Sequence, residues 1–222
     1  SSFIAAAVVV GIVLIGIAVT LLVSWLLSQT ILKGVPSAFT LELPPYRKPQ
    51  VGRILVRSFL DRTLFVLSRA VMVAAPAGVV VWILANNTIN GVTMINYFAN
   101  LLDPLAVMIG LDGFILLAFI LGLPANEIVL PILLMSYLST GAMVEPGGAQ
   151  ALQETLVTNG WTWVTALCTM LFSLLHFPCG TTLLTIKKET NSWKWTVFAA
   201  IMPLGIAFII CFLVNQGLNL FL

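Results

Sequence analysis

The sequence predicts an all-α protein: a polytopic transmembrane helical bundle that contains two broken or re-entrant helices. Three observations lead there. Of 222 residues, 60% are hydrophobic and only 8% charged, with a mean hydropathy of +1.09; a water-facing domain carries about 25% charged residues. Apolar runs recur along the chain, long enough to cross about 30 Å of hydrocarbon at about 1.5 Å rise per residue. Two of these runs are interrupted by Pro and Gly, at 122–132 and at 176–186.

The same composition excludes several classes. A net charge of +2 spread over ten Lys/Arg and eight Asp/Glu gives no basic stripe for nucleic acid. Cys168, Cys179 and Cys211 all lie in apolar segments, so no disulfide framework is implied. There is no phosphate loop, no dinucleotide fingerprint and no nucleophile–base constellation, so an enzyme is not expected. The chain opens Ser1-Ser2-Phe3 without methionine and reads as part of a longer one. Its first apolar run is too long and too poor in basic residues to be a cleavable leader.

Ile4 to Leu27 reads as a spanning helix, so that 1–33 forms a first transmembrane segment. Residues 34–63 form a cytoplasmic linker with Pro36, Pro44, Pro45 and Pro49, followed by a helix lying on the membrane surface. From Val51 to Arg69, basic Arg53, Arg57 and Arg62 interleave with Ile54, Leu55 and Phe59, the pattern of an interfacial helix; a solvated loop is the alternative. Residues 64–222 form the main transmembrane domain. In it Leu64 to Leu84 spans, with Arg69 near its start and Pro76 as a kink site, and 86–103 reads as a polar loop. Leu105 to Leu138 is too long for one straight span and must be two pieces turning near Leu123-Pro124. Residues 139–160 are polar, Trp161 to Ile186 spans with an interruption at 176–182, and Trp193 to Leu213 is the last span.

Between Ala70 and Ile186 there is no Lys or Arg, whereas basic residues cluster at 33–62 and 187–194. Basic residues in short loops face the cytoplasm. The loops 86–104 and 139–160 and the C-terminus are therefore expected outside, which requires 105–138 to leave and return on one side. Trp82, Trp161 and Trp163 then fall at outer ends and Trp25, Trp193 and Trp195 at inner ends.

The chemistry is expected at the two interruptions. Pro124 in Gly122-Leu-Pro-Ala-Asn-Glu127 matches Pro178 in His176-Phe-Pro-Cys-Gly-Thr-Thr182, each followed by a small and then a polar residue. Such breaks free backbone groups that lipid cannot satisfy, and transporters use them to build midplane sites. Glu127 is an acid within an apolar segment, either functional or capping a half-helix. His176 and Cys179 have the spacing of a soft-metal ligand pair, with helix packing as the other reading of the histidine. Asn126, Thr181 and Thr182 offer neutral oxygens, while Met135 reads as packing beside the path more than as a ligand. Thiol, carboxylate and neutral oxygen together suit a divalent transition metal that must bind and then leave.

Leu41-Glu-Leu-Pro-Pro-Tyr-Arg-Lys-Pro49, Gly122-Leu-Pro-Ala-Asn-Glu-Ile128, Gly160-Trp-Thr-Trp163, Ala166 to Phe172, His176-Phe-Pro-Cys179, Thr185 to Thr190 and Ser192-Trp-Lys-Trp195 carry a resemblance. In this order they resemble the C-terminal half of the ferrous-iron transporter FeoB family, including its second gate repeat. The resemblance implies a gate-type half repeat over 64–222, Fe²⁺ as transported substrate, and no permanently bound cofactor. It implies passage across a bacterial inner membrane, with Cys179 and Glu127 as pathway residues. The partners it implies are the lipid bilayer and, in a longer chain, a first gate repeat and a gating G-protein domain; a homo-oligomer is left open. A nucleoside-recognition gate protein or a non-transporting assembly module is the rival expectation.

Overall fold

The computed structural model describes residues 2–31, 50–89, 91–144 and 147–221. The proline-bearing linker over 34–49, with the motif Leu41 to Pro49, lies outside the described residues, as do the side chains of Ile54, Arg62 and Arg69. The chain divides into two compact units, Ser1–Ser68 and Arg69–Leu222.

In the first unit, α1 (Ser2–Thr30) is apolar on all faces, and Val8, Val9, Leu14, Leu21 and Trp25 stay exposed, as a helix facing lipid requires. In α2 (Val51–Ser58) Arg53 and Arg57 share one face while Val51 and Leu55, four apart, share another. A single π-helical turn, Phe59–Leu64, follows, and α3 (Phe65–Asn86) begins after it.

In the second unit the segment expected as a polar loop is ordered. A two-stranded hairpin, β1 (Thr88–Ile89) with β2 (Val92–Thr93), leads into α4 (Met94–Met108), whose first turn is capped by Thr93 Oγ1 accepting from the Asn96 amide. The asparagines and Asp103 hide this helix in the sequence, because they lower its hydropathy without breaking its period. The polar stretch 139–160 likewise contains a helix, α7 (Ala149–Thr158).

The run Leu105 to Leu138 is broken twice. After α4 the chain bends by 108° into α5 (Gly113–Leu121). Gly110 takes φ +77° at this corner, and Gly113 sits so close to the Ala99 carbonyl that a Cβ would lie 2.0 Å from it. The turn Gly122–Ile128 then reverses the chain into α6 (Val129–Leu138). The ring of Phe114 meets that of Tyr137 at 5.5 Å, while Gly122 approaches Val129, so α5 and α6 run antiparallel. With 9 and 10 residues, each is about half a membrane long.

This hairpin is the core. Ile115, Leu116, Leu117, Ala118 and Phe119 of α5 and Ile132 to Met135 of α6 are buried. Around it stand α8 (Trp163–Leu175), α9 (Gly180–Thr190) and α10 (Trp193–Phe221), whose outer residues Ile201, Ile209 and Leu213 are exposed. Apolar side chains thus cover the outside as well as the inside, the arrangement that a lipid solvent allows. Among the described residues four helical stretches are long and apolar enough to cross a membrane, Ala5–Thr30, Val66–Asn86, Trp163–Thr190 and Trp193–Leu220, and the bent pair α4–α5 makes a fifth if it counts as one span. This is an all-α membrane bundle.

Candidate ion path at two helix breaks

The first break is the tip of the α5–α6 hairpin. Gly122 ends α5, its amide bonding the Ala118 carbonyl at 2.8 Å, and it has no room for a Cβ, which would fall 2.3 Å from Val129 Cγ2. Pro124 has no amide to donate, and Ala125 closes the turn on the Gly122 carbonyl at 3.0 Å. The Leu123 carbonyl has no intrahelical partner because Pro124 and the turn end the ladder there.

The second break separates α8 from α9. Pro178 interrupts the ladder, and His176 and Cys179 take extended backbone at the adjoining helix ends. Gly180 opens α9, and its amide donates to the Leu123 carbonyl at 2.7 Å. A donor freed by one break therefore satisfies an acceptor freed by the other. A Cβ on Gly180 would lie 3.3 Å from Leu123 Cδ2 and 3.3 Å from Val73 Cγ1, so the close approach leaves room for little beyond a methyl group.

Cys179 is the N-terminal cap residue of α9 and is half-buried. Its sulfur lies 3.1 Å from Thr181 Oγ1 and 3.2 Å from Thr182 Oγ1. Three of the expected pathway side chains thus form one cluster, beside the joint between the breaks. Asn126 and Glu127 sit on the 3-10 turn Asn126–Ile128 of the first break, and both are exposed. Neither that turn nor α6 receives a side-chain cap, so a capping role for Glu127 finds no bond here.

His176 is placed differently. It caps the end of α8, with Nδ1 3.1 Å from the Phe172 carbonyl and 2.9 Å from that of Ser173. Both partners are acceptors, so Nδ1 carries the hydrogen and Nε2 keeps its lone pair. That lone pair is buried without a partner among the described residues. The rings of Phe119, Phe172 and Phe177 surround the imidazole at 5.0, 5.8 and 5.0 Å. A ring nitrogen fixed by a carbonyl on one side and bare on the other is the usual preparation of a ligand histidine. Its box here is carbon.

Met135 is buried away from the breaks, beside a cavity of about 20 Å³ that it shares with Thr93, Asn96 and Ser136. Among the described residues no group of three or more His, Cys, Asp and Glu side chains is gathered to hold a metal. From the Leu123–Gly180 joint an apolar groove of about 360 Å³ leads to Lys187, whose Nζ lies 3.7 Å from the Trp193 ring centre. Its walls are almost wholly carbon.

One set of polar residues carries only part of its signal in the sequence. Asp112 caps α5, Oδ1 accepting from the Ile115 amide at 2.7 Å, and its Oδ2 accepts from the Tyr137 hydroxyl. Trp161 Nε1 donates to that same hydroxyl at 2.9 Å. An acid ahead of an apolar helix foretells the cap. Nothing local foretells partners 25 and 24 residues apart.

The comparisons with known proteins follow the same division of the chain. Residues 9–61 match the family described as ferrous iron transport protein B C terminus, and residues 67–193 match the Gate family, described as nucleoside recognition. The protein named Fe(2+) transporter FeoB from Staphylococcus aureus strain MSSA476 is 31% identical over 224 residues, covering 96% of this chain and 32% of its own length. The one of that name from Methanocaldococcus jannaschii is 26% identical over 227 residues, again with 96% and 32% covered. That from Synechocystis is 28% identical over 185 residues, with 82% and 28% covered. No solved structure matches. The chain spans about a third of the length of these relatives. With both family segments in order and relatives aligned along almost all of it, the chain belongs to the FeoB family, over its C-terminal and Gate segments.

Proposed function

We propose that this chain is membrane portion of a ferrous-iron transporter, passing Fe²⁺ across the bacterial inner membrane along a path lined by its two broken helices. The observation that carries this reading is the hydrogen bond from the Gly180 amide to the Leu123 carbonyl, 2.7 Å long, beside Cys179. Unsatisfied backbone at membrane depth costs several kcal/mol per group. Joining the two breaks relieves that cost and leaves a thiol and two hydroxyls at the joint. The printed names of the relatives support Fe²⁺ as the cargo.

In this reading Cys179 is the principal contact, as thiolate, with Thr181 and Thr182 beside it. Glu127 and Asn126 receive the ion at the tip, His176 supplies the buried lone pair, and Pro124 and Pro178 keep the breaks open. Met135 lines the wall further along. The first gate repeat of a longer chain supplies the facing half of the path, and a G-protein domain gates it. Residues 1–33 are the first membrane helix, 34–63 lie on the cytoplasmic side, and 64–222 form the gate domain, with the C-terminus outside. Fe²⁺ stands low in the affinity order of divalent metals, so the site holds it loosely enough to release it.

The test is Fe²⁺ uptake by cells carrying the full-length protein, parent against Cys179→Ser. Loss of a metal contact lowers uptake at least about tenfold, at equal amounts of protein in the membrane. Parental uptake by Cys179→Ser would overturn the reading. The match of 67–193 to a family described as nucleoside recognition favours a second one, a gate protein for nucleosides or an assembly module. Saturable uptake of a labelled nucleoside without Fe²⁺ uptake would select the former, and neither activity the latter.

A further inference from the structure

We propose that Asp112 is a positioning residue, whose carboxylate acts through Tyr137 and Trp161 to fix where the two helix breaks meet. This rests on reading the breaks as the ion path. The argument is one of struts and anchors. The first strut is α5, 9 residues from its Asp112 cap to the tip that presents the Leu123 carbonyl. The second is α8, 13 residues from Trp163 to the break that precedes Gly180. At their far ends the struts touch through Leu123 and Gly180. Close to those same ends they touch again, the Phe119 ring 4.9 Å from Phe172 and 5.0 Å from His176.

At the near ends they share one anchor. Asp112 Oδ1 holds the first turn of α5, and Oδ2 takes the Tyr137 hydroxyl at the end of α6. That hydroxyl in turn accepts from Trp161, two residues before α8 begins. The neighbouring Asp103 steadies the same corner by accepting from the Gly113 amide at 2.9 Å. A carboxylate is needed because one group must accept two donors in different directions, and charged acceptors make the stronger bonds. Helices are stiff along their axes, so a slip of α8 against α5 at the anchor arrives at the breaks undiminished. Asp112 is thereby coupled to the position of Cys179 although it lies in another helix.

The experiment uses the full-length protein in membranes. Leu123→Cys is introduced beside native Cys179, and the rate at which a short bifunctional thiol reagent joins the two is read by peptide mass spectrometry. Fe²⁺ uptake is measured separately with Leu123 intact. Asp112→Asn keeps the cap but gives up one acceptor, and Tyr137→Phe removes the link entirely. Each is expected to slow cross-linking about three- to tenfold in the folded fraction, the usual worth of a hydrogen bond between helices. Thr20→Ala, which removes only a side-chain bond to the Gly16 carbonyl within α1, leaves the cross-linking rate unchanged. Rates within twofold of the parent in both relay variants overturn the proposal, whatever uptake does. Slowed cross-linking with unchanged uptake upholds the positioning role and refutes the path.

Discussion

The carbonyl of Leu123 and the amide of Gly180 are 57 positions apart in the numbering and 2.7 Å apart in space. Each is left over from an interrupted helix, and each is the other's partner. In a bilayer no water competes for either group, so the pairing is worth more than the same bond on a soluble surface. It also explains the glycine. With Leu123 and Val73 side-chain carbons 3.3 Å from the place of a Cβ, a side chain longer than a methyl group must push the breaks apart.

Gly180→Ala is therefore expected to be tolerated, because the tips of Leu123 and Val73 can yield by tenths of an ångström. Gly180→Leu cannot be accommodated that way. It is expected to cost about 1–3 kcal/mol through overpacking and to lower Fe²⁺ uptake at least about fivefold. Thermal melting in detergent and uptake in cells measure the two effects. Parental behaviour of Gly180→Leu would mean that the joint is looser than the hydrogen bond implies.

A harsher result is expected at the α4–α5 corner. At Gly113 a Cβ would meet a backbone oxygen at 2.0 Å, which no rotamer change relieves. Gly113→Ala should cost about 3 kcal/mol or more and reduce the yield of monodisperse protein. Gly91→Ala is the comparison: its φ is +83°, yet nothing stands within 4 Å, so only backbone strain is added, about 1 kcal/mol. Size-exclusion profiles of the two variants, expressed in parallel, distinguish them.

How much of this was legible in the sequence follows the range of the interactions. The spans, the two breaks and their Pro and Gly residues are local patterns and read directly from hydropathy and composition. Cys179, Thr181 and Thr182 are neighbours in sequence, so their clustering could be expected. The α4 helix could not be read in that way, since Asn96, Asn100 and Asp103 make an amphipathic helix look like a loop. The Asp112–Tyr137–Trp161 relay joins three elements through single atoms, and no spacing rule encodes it. The exposure of Glu127 is equally a tertiary outcome: its segment is apolar, but the hairpin places it at a tip.

His176 allows a test that separates packing from chemistry. Its Nδ1 is satisfied, and its Nε2 has no partner among the described residues. An unpaired buried polar atom costs about 1–3 kcal/mol, against a net gain of about 1 kcal/mol from the bonded one. His176→Phe fills the aromatic box and removes both, so stability should hold or rise. If Nε2 serves the ion, uptake falls at least about tenfold in this stable variant. Stable protein with parental uptake would reduce His176 to a packing residue.

An expected orientation follows from where the cations lie. Arg53 and Arg57 on α2 and Lys187, Lys188 and Lys194 around the α9–α10 turn lie at the two basic regions, and the chain between Ala70 and Ile186 has none. A cationic loop resists transfer across the bilayer, so both regions should stay in the cytoplasm. Arg53→Cys and Lys187→Cys should therefore react with a membrane-impermeant maleimide only after cells are opened. Gln153→Cys, on the exposed side of α7, should react in intact cells. Lys187 is the more demanding site, because its side chain rests on Trp193 and cysteine there removes that contact as well. Lys188→Cys, exposed one residue on, must give the same answer. Labelling of 187 and 188 from outside would turn the bundle over, put the apolar groove below Gly180 at the outer face, and reverse the direction in which an ion meets Cys179.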